Sequence, residues 1–277
     1  MAPAFHSGVQ PFGRRFRGGA LIAMLCALGV AGCATEPTSG PTATLTGNAD
    51  KARVSQQLAD AARQGADYAG AIELYRRMLD AGGDPFAAHL GLGASYLGNG
   101  SLEDAQKEYL SAAAIGPTRP EAQLGLGRVF LAMHRSAEAA AAFDMALKNG
   151  APRTVALNGK GLALDLGNHH PDAQAAYREG LADAPQDRVL RSNYGLSLAL
   201  SGDYKAALAL LMPLAQDAQA TARNRQNLAL VLGLDGDTTA ARAVAQHDLS
   251  PDAVDANMQF YEAARMASAG AGSVSPH

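Results

Sequence analysis

Small and apolar residues recur along this chain at a spacing of 34 positions. Leu92, Gly93, Tyr96, Gly100, Ala105, Tyr109, Ala112 and Pro117 set out the pattern. One step on stand Leu126, Gly127, Phe130, Ala139, Phe143 and Ala146, and a second step gives Gly161, Leu164, Ala173, Tyr177 and Pro185. The third brings Tyr194, Gly195, Leu198, Gly202, Ala207 and Leu211, and the fourth Leu228, Ala229, Leu232, Gly236 and Ala241. A step back from the first finds Leu58, Ala59, Ala62, Ala71 and Tyr75. Spacings of three and four within each half-unit are helical, and Gly100, Asn168, Gly202 and Gly236 mark the turn between the two helices of a unit. Six units tile 52–255 without an insertion.

A self-similar period of this length signals a stacked repeat fold, and this one resembles the tetratricopeptide repeat, a helix–turn–helix unit. The resemblance implies an all-α, right-handed solenoid of about six units. Each position then has a physical role. Gly93, Gly127, Gly161 and Gly195 let two helices approach. Ala71, Ala105, Ala139, Ala173, Ala207 and Ala241 do the same on the second helix. Tyr75, Tyr109, Phe143 and Tyr177 fill the gap between units. The family's early Trp is missing throughout; Ser55, His89, Gln123, Leu157, Arg191 and Arg225 stand in its place. Pro213, inside a second helix, is expected to kink that helix or end it early. Ser250 and Pro251 read as the N-cap and first residue of a C-terminal capping helix running to about Met266 (256–267 lying past the last repeat). Val254, Met258, Tyr261 and Ala264 would close the stack, and 268–277 reads as a disordered tail.

The first 51 residues follow a different pattern. Arg14, Arg15 and Arg17 precede an apolar run, Ala20 to Val30, too short for the ~20 residues that span a bilayer and suited to an export signal. Val30-Ala31-Gly32-Cys33 then matches the lipobox of bacterial lipoproteins. That resemblance implies that 1–32 is a signal peptide and that Cys33 is acylated, anchoring the chain in a membrane. More than one acyl chain is needed for stable anchoring, and a triacylated Cys meets that requirement. Ala34 in place of Asp favours the outer membrane, with the folded part facing the periplasm. Residues 33–51, rich in Thr, Pro, Gly and Ser, read as a flexible tether.

Composition narrows the function. Of 277 residues, 48% are hydrophobic and 5% aromatic, with no Trp. After removal of 1–32, 20 basic residues face 26 acidic ones, which offers no footprint for nucleic acid. The two cysteines, Cys26 and Cys33, leave no disulfide framework. No phosphate loop is present, His169-His170 lacks a third metal ligand nearby, and no acid–base pair stands out. The expectation is a non-enzymatic chain without cofactor or metal.

What remains is protein binding. In the tetratricopeptide family the first helices line a concave groove. The matching positions here are Leu90, Leu97, Leu124, Arg128, Leu131, Asn158, Leu162, Asp165, Leu196, Leu200, Leu230 and Leu234, with Asn193 and Asn227 on the same inner face. About half of these leucines are expected to be exposed and the rest to belong to the core. The two asparagines could hydrogen-bond a ligand backbone or satisfy local backbone groups.

Two stretches are more specific than the repeat: Ala220 to Leu234, preceded by Met212-Pro213-Leu214-Ala215, and Asp248 to Asn257. With the lipobox they resemble the TadD lipoproteins of tight-adherence (Flp) pilus systems. The resemblance implies an outer-membrane lipoprotein that assists pilus assembly, a pilotin-like partner of the secretin or of another pilus subunit. Repeat lipoproteins serving outer-membrane protein assembly or cell-wall synthesis share this architecture and stand as the alternative.

Overall fold

The computed structural model describes residues 47–271, with side chains through 267. Cys33, the expected export signal and most of the tether lie outside the described residues. Helix pairs follow one another: α1 (Asn48–Gln64) with α2 (Tyr68–Asp80), α3 (Pro85–Gly98) with α4 (Leu102–Ile115), and α5 (Pro120–Ala132) with α6 (Ser136–Lys148). They continue with α7 (Arg153–Leu166) and α8 (His170–Asp183), α9 (Arg188–Leu200) and α10 (Tyr204–Gln216), α11 (Ala222–Asp235) and α12 (Thr238–Ala245), and a closing α13 (Pro251–Ala271). Two boundaries differ from the sequence expectation. Asn48 to Lys51 belong to the first turn of α1 rather than to the tether, with Asp50 favourably placed at the positive end of the helix dipole. At the other end the helix continues to Ala271, four residues into the expected tail.

The period predicted from the sequence is the period of the packing. Ala71, Ala105, Ala139, Ala173, Ala207 and Ala241 are all fully buried, and Tyr75, Tyr109, Phe143 and Tyr177 are 2%, 4%, 2% and 0% exposed. Each ring sits where a longer neighbour would not fit. A Cβ on Gly93 would come within 3.0 Å of the Tyr109 ring, and one on Gly125, in the next unit, within 2.2 Å. Phe143 is held the same way between Gly127 and Gly159, at 2.7 and 2.3 Å. The ring of one unit is thus seated in a notch made by two inner helices, and burying it stabilises the junction by about 1.5–3 kcal/mol.

Turns repeat as strictly. Ala66, Gly100, His134, Asn168, Gly202 and Gly236 occupy one register position, and all six have positive φ, from 57° to 103°. Asp67, Asp203 and Asp237 follow this position in three units, and each carboxylate accepts the backbone N–H three residues on, capping the second helix. Pro213 does not end α10 early. The helix runs through it to Gln216, because Leu211 and Leu214 on either side are 0% and 2% exposed and hold the last turn in place. At the C-terminus Ser250 Oγ accepts the Ala253 N–H at the start of α13. Val254, Met258 and Tyr261 are buried against the final unit, with Tyr261 so close to Gly233 that a Cβ there would lie 2.3 Å from its ring.

Odd-numbered helices from α1 to α11 touch one another in succession, whereas no two even-numbered helices touch among the described residues. The stack therefore curves with the odd row inside. Among the described residues no helix is long and apolar enough to cross a membrane.

Candidate partner-binding groove

The inner row, α3, α5, α7, α9 and α11, carries every groove position read from the sequence. Their exposure is less than expected. Leu90, Leu97, Leu124, Leu131, Leu196, Leu230 and Leu234 are half-buried, and two of the nine leucines, Leu162 and Leu200, are exposed at 38% and 59%. The reason is the tight succession of inner helices: a leucine that points inward also leans on the next unit, as Leu124 and Leu131 do against the Phe143 cluster. Arg128 is exposed.

The three amides and the carboxylate are mostly engaged within the fold. Asn193 donates to Asn158 Oδ1 at 2.7 Å, and Asn227 donates to Ser192 Oγ at 2.9 Å. Each bond ties one inner helix to the one before it. These amides replace the glycines that occupy the same register in earlier units (Gly91, Gly125 and Gly159). Asn193 and Asn227 are thus engaged inside the fold, but by side chains of the preceding inner helix and not by the local backbone groups expected from the sequence. Asp165 is a correction of a different kind. Its carboxylate accepts Ser197 Oγ–H at 2.7 Å and Tyr177 O–H at 3.1 Å, and it meets His170 Nδ1 at 2.9 Å. Its side chain is 11% exposed. It serves as an internal hub joining α7, α8 and α9, not as a free group facing a ligand.

Two clefts open along the inner surface. One, of about 280 Å³, brings together Arg128, Leu131, Asn158 and Leu162 with Val155 and Val189. These two valines were missed from the sequence. They lie one period apart, near the starts of α7 and α9, and are 41% and 59% exposed. The other cleft, of about 300 Å³, is lined by Asp60, Arg63, Leu90, Tyr109 and Glu121 among others, and again by Arg128. Arg128 therefore borders both. It makes no ion pair or hydrogen bond within the described residues.

Three tyrosines at one register behave differently here. Tyr75 donates its hydroxyl to Asp60 Oδ1 at 2.5 Å, and its phenol is pushed up to about 12 by burial, reinforced by that hydrogen bond. Tyr177 donates to Asp165, and burial together with that charge holds its phenol far above the ordinary value. The Tyr109 hydroxyl has no hydrogen-bond partner among the described residues. Its phenol is raised by burial, while the charges of Arg128 and Arg63 pull the other way. Tyr109 was read from the sequence only as core filler. The signal was available in retrospect: Asp60 lies fifteen residues before Tyr75 and Asp165 twelve before Tyr177, whereas the corresponding residues before Tyr109 are Ala94 and Leu97.

Among the described residues no cluster of His, Cys, Asp or Glu is arranged to hold a metal, His169 and His170 included.

Comparison with known proteins agrees with this fold. The tetratricopeptide-repeat family model matches residues 57–120 and 95–154, the first three units. No curated protein matches the sequence. Among solved structures, PilW, titled a widely conserved type IV pilus biogenesis factor, aligns with a TM-score of 0.66 and 22% identity over 76% of this chain and 97% of that one. Pseudomonas aeruginosa pilF aligns at 0.63 and 17% identity over 77% and 97%. A tetratricopeptide repeat protein from Parabacteroides merdae aligns at 0.63 and 14% over 76% and 84%. The chain has the all-helical solenoid fold of tetratricopeptide-repeat proteins.

Proposed function

We propose that this chain is a non-enzymatic, lipid-anchored scaffold of the outer membrane that binds a protein segment in its concave groove and so assists assembly of the tight-adherence pilus machine. The observation that carries the binding part is the pair of clefts joined at Arg128 along the inner helices, with exposed Val155, Leu162 and Val189 on one side. An extended or helical segment of a partner fits such a surface better than a small substrate does. The lipobox at Val30 to Cys33 supports the anchor, and the stretches at 220–234 and 248–257 support the pilus assignment. PilW and pilF share the fold, and the PilW structure is titled as a pilus biogenesis factor. The partner in this reading is the pilus secretin or another assembly subunit.

Three measurements test it. Deleting the gene should remove surface pili and mislocalise the secretin; normal pili with a normally placed secretin would sink the assembly role. Cys33→Ser should abolish fatty-acid labelling and outer-membrane retention; unchanged labelling refutes the anchor. In-cell crosslinking from a photoreactive residue at position 162 should capture a pilus subunit; capture of cell-wall or outer-membrane assembly factors instead would reassign the scaffold to general envelope biogenesis.

A further inference from the structure

The groove reading leaves open what chemistry a bound segment must carry, and the inner aromatic row points to an answer. Tyr75 and Tyr177 each give their hydroxyl proton to an internal carboxylate. Tyr109, between them at the same register, is 4% exposed and gives its proton to nothing among the described residues. Among the described residues no fully buried side-chain oxygen or nitrogen lacks a partner. The Tyr109 hydroxyl must therefore still meet solvent, and the cleft it lines supplies that access. Beside it stands Arg128, the register equivalent of Asp60, with no counter-ion among the described residues. The two acids in the same cleft are already engaged. Asp60 holds the Tyr75 proton and lies 3.7 Å from Arg63, and Glu121 lies 3.6 Å from Arg119. A nearly buried donor and a guanidinium thus line one small cleft, and among the described residues neither acid of that cleft bonds to either of them. A partner that left both groups unmatched on docking would bear the cost of desolvating them.

We infer that the partner segment supplies the missing carboxylate: an acidic side chain seated between Tyr109 and Arg128, followed by an aliphatic side chain in the neighbouring cleft. This rests on the groove reading above and adds the chemistry of the ligand to it. The acid belongs to a side chain rather than to a chain end because Arg128 lies at the junction of the two clefts. A segment ending there would leave one of them empty. Packed helices are about 8–10 Å apart and an extended strand advances about 3.3 Å per residue. The aliphatic residue reaching Val155, Leu162 and Val189 therefore stands about three residues from the acid.

The test is selection of random twelve-residue peptides displayed on phage against the purified protein, followed by fluorescence anisotropy with the selected peptide. Peptides carrying Asp or Glu about three residues from Leu, Ile or Val should be enriched. Changing that acid to its amide should weaken binding about tenfold, as expected for a hydrogen bond to a charged group. Tyr109→Phe and Arg128→Gln should each weaken the acidic peptide by a similar factor and leave the amide peptide unaffected, which closes a double-mutant cycle. Tyr109→Phe should fold normally, since Phe143 fills the same position one unit on. Tyr75→Phe is the control and should not change binding, its hydroxyl being already occupied by Asp60. Peptides that bind with no dependence on an acid, and are lost on Leu162→Arg, would overturn the carboxylate site and keep the groove. Dependence on a free C-terminus in place of an internal acid would overturn the side-chain assignment. Failure to recover any peptide, or binding indifferent to Leu162→Arg, would remove the groove reading and this inference together.

Discussion

The turn position shared by the six units sets up a controlled experiment on backbone strain. Gly100, Gly202 and Gly236 adopt positive φ freely, whereas Ala66, His134 and Asn168 adopt it with a Cβ, at 61°, 57° and 61°. The left-handed conformation costs an L-residue about 1–2 kcal/mol. Replacing alanine by glycine relieves that but gives back about 0.4–1 kcal/mol through the greater freedom of the unfolded chain. The net expectation for Ala66→Gly is a gain of about 0.5–1 kcal/mol. His134→Gly should match it, since the His134 side chain makes no hydrogen bond or ion pair among the described residues. Asn168→Gly should gain less, because asparagine tolerates this conformation. The reverse change is equally specified: a Cβ on Gly100 or Gly202 meets nothing within 4 Å, so Gly100→Ala and Gly202→Ala should each lose about 0.5–1 kcal/mol from backbone alone. Urea unfolding followed by circular dichroism at ~222 nm reads these as shifts of the midpoint at constant slope. If His134→Gly lowered the midpoint, or Gly202→Ala left it unmoved, the left-handed turn would not be the strained element described here.

Other consequences can be checked on the same preparation. Gly159→Val should destabilise by about 1–3 kcal/mol by forcing the Phe143 ring from its notch, since the added Cβ would stand 2.3 Å from that ring; an unchanged urea midpoint would contradict the notch. Asp165→Ala should cost about 1–3 kcal/mol by stripping Tyr177 and Ser197 of their acceptor; peptide affinity should stay the same, and a loss of affinity at unchanged stability would return Asp165 to the binding surface. The hydrogen bond from Arg225 holds the Asp248 carboxyl down to about 2, from an ordinary value of 3.8. A folded-state value below the unfolded one stabilises above the unfolded value and is lost as pH falls through the folded one. Wild type should therefore lose stability between about pH 4 and pH 2 more steeply than Asp248→Asn, and identical slopes would refute the pairing.

Much of this fold could be read from residue type, because a small residue at a fixed place in a tight stack admits no alternative. Ala71 and its five equivalents announced buried helix contacts, and Gly100, Gly202 and Gly236 announced left-handed turns. Ala66 and His134 gave no such notice: their side chains do not favour the conformation they adopt, and only the register imposed by the flanking helices explains it. The groove was legible by position and not by chemistry. Asp165 looked available in the sequence since its partners, Tyr177 and Ser197, come from the next two helices and are separated from it by twelve and thirty-two residues. Asn193 and Asn227 were ambiguous for the same reason, their partners lying thirty-five residues back. Tyr109 was misread in the opposite sense: a buried ring at a core position hid a hydroxyl without an acceptor.

A stack of like units is open-ended by construction. The trailing face of each unit accepts the leading face of the next, and nothing in that geometry requires the next unit to come from the same molecule; head-to-tail contacts of this kind generate fibres when they do not close. The 21-residue α13 forecloses that route. Val254, Met258 and Tyr261 fill the last trailing face, and the Tyr261 ring lies directly against Gly233 of α11. Repetition supplies growth and α13 supplies its termination. With that face filled, the series of units ends at α13.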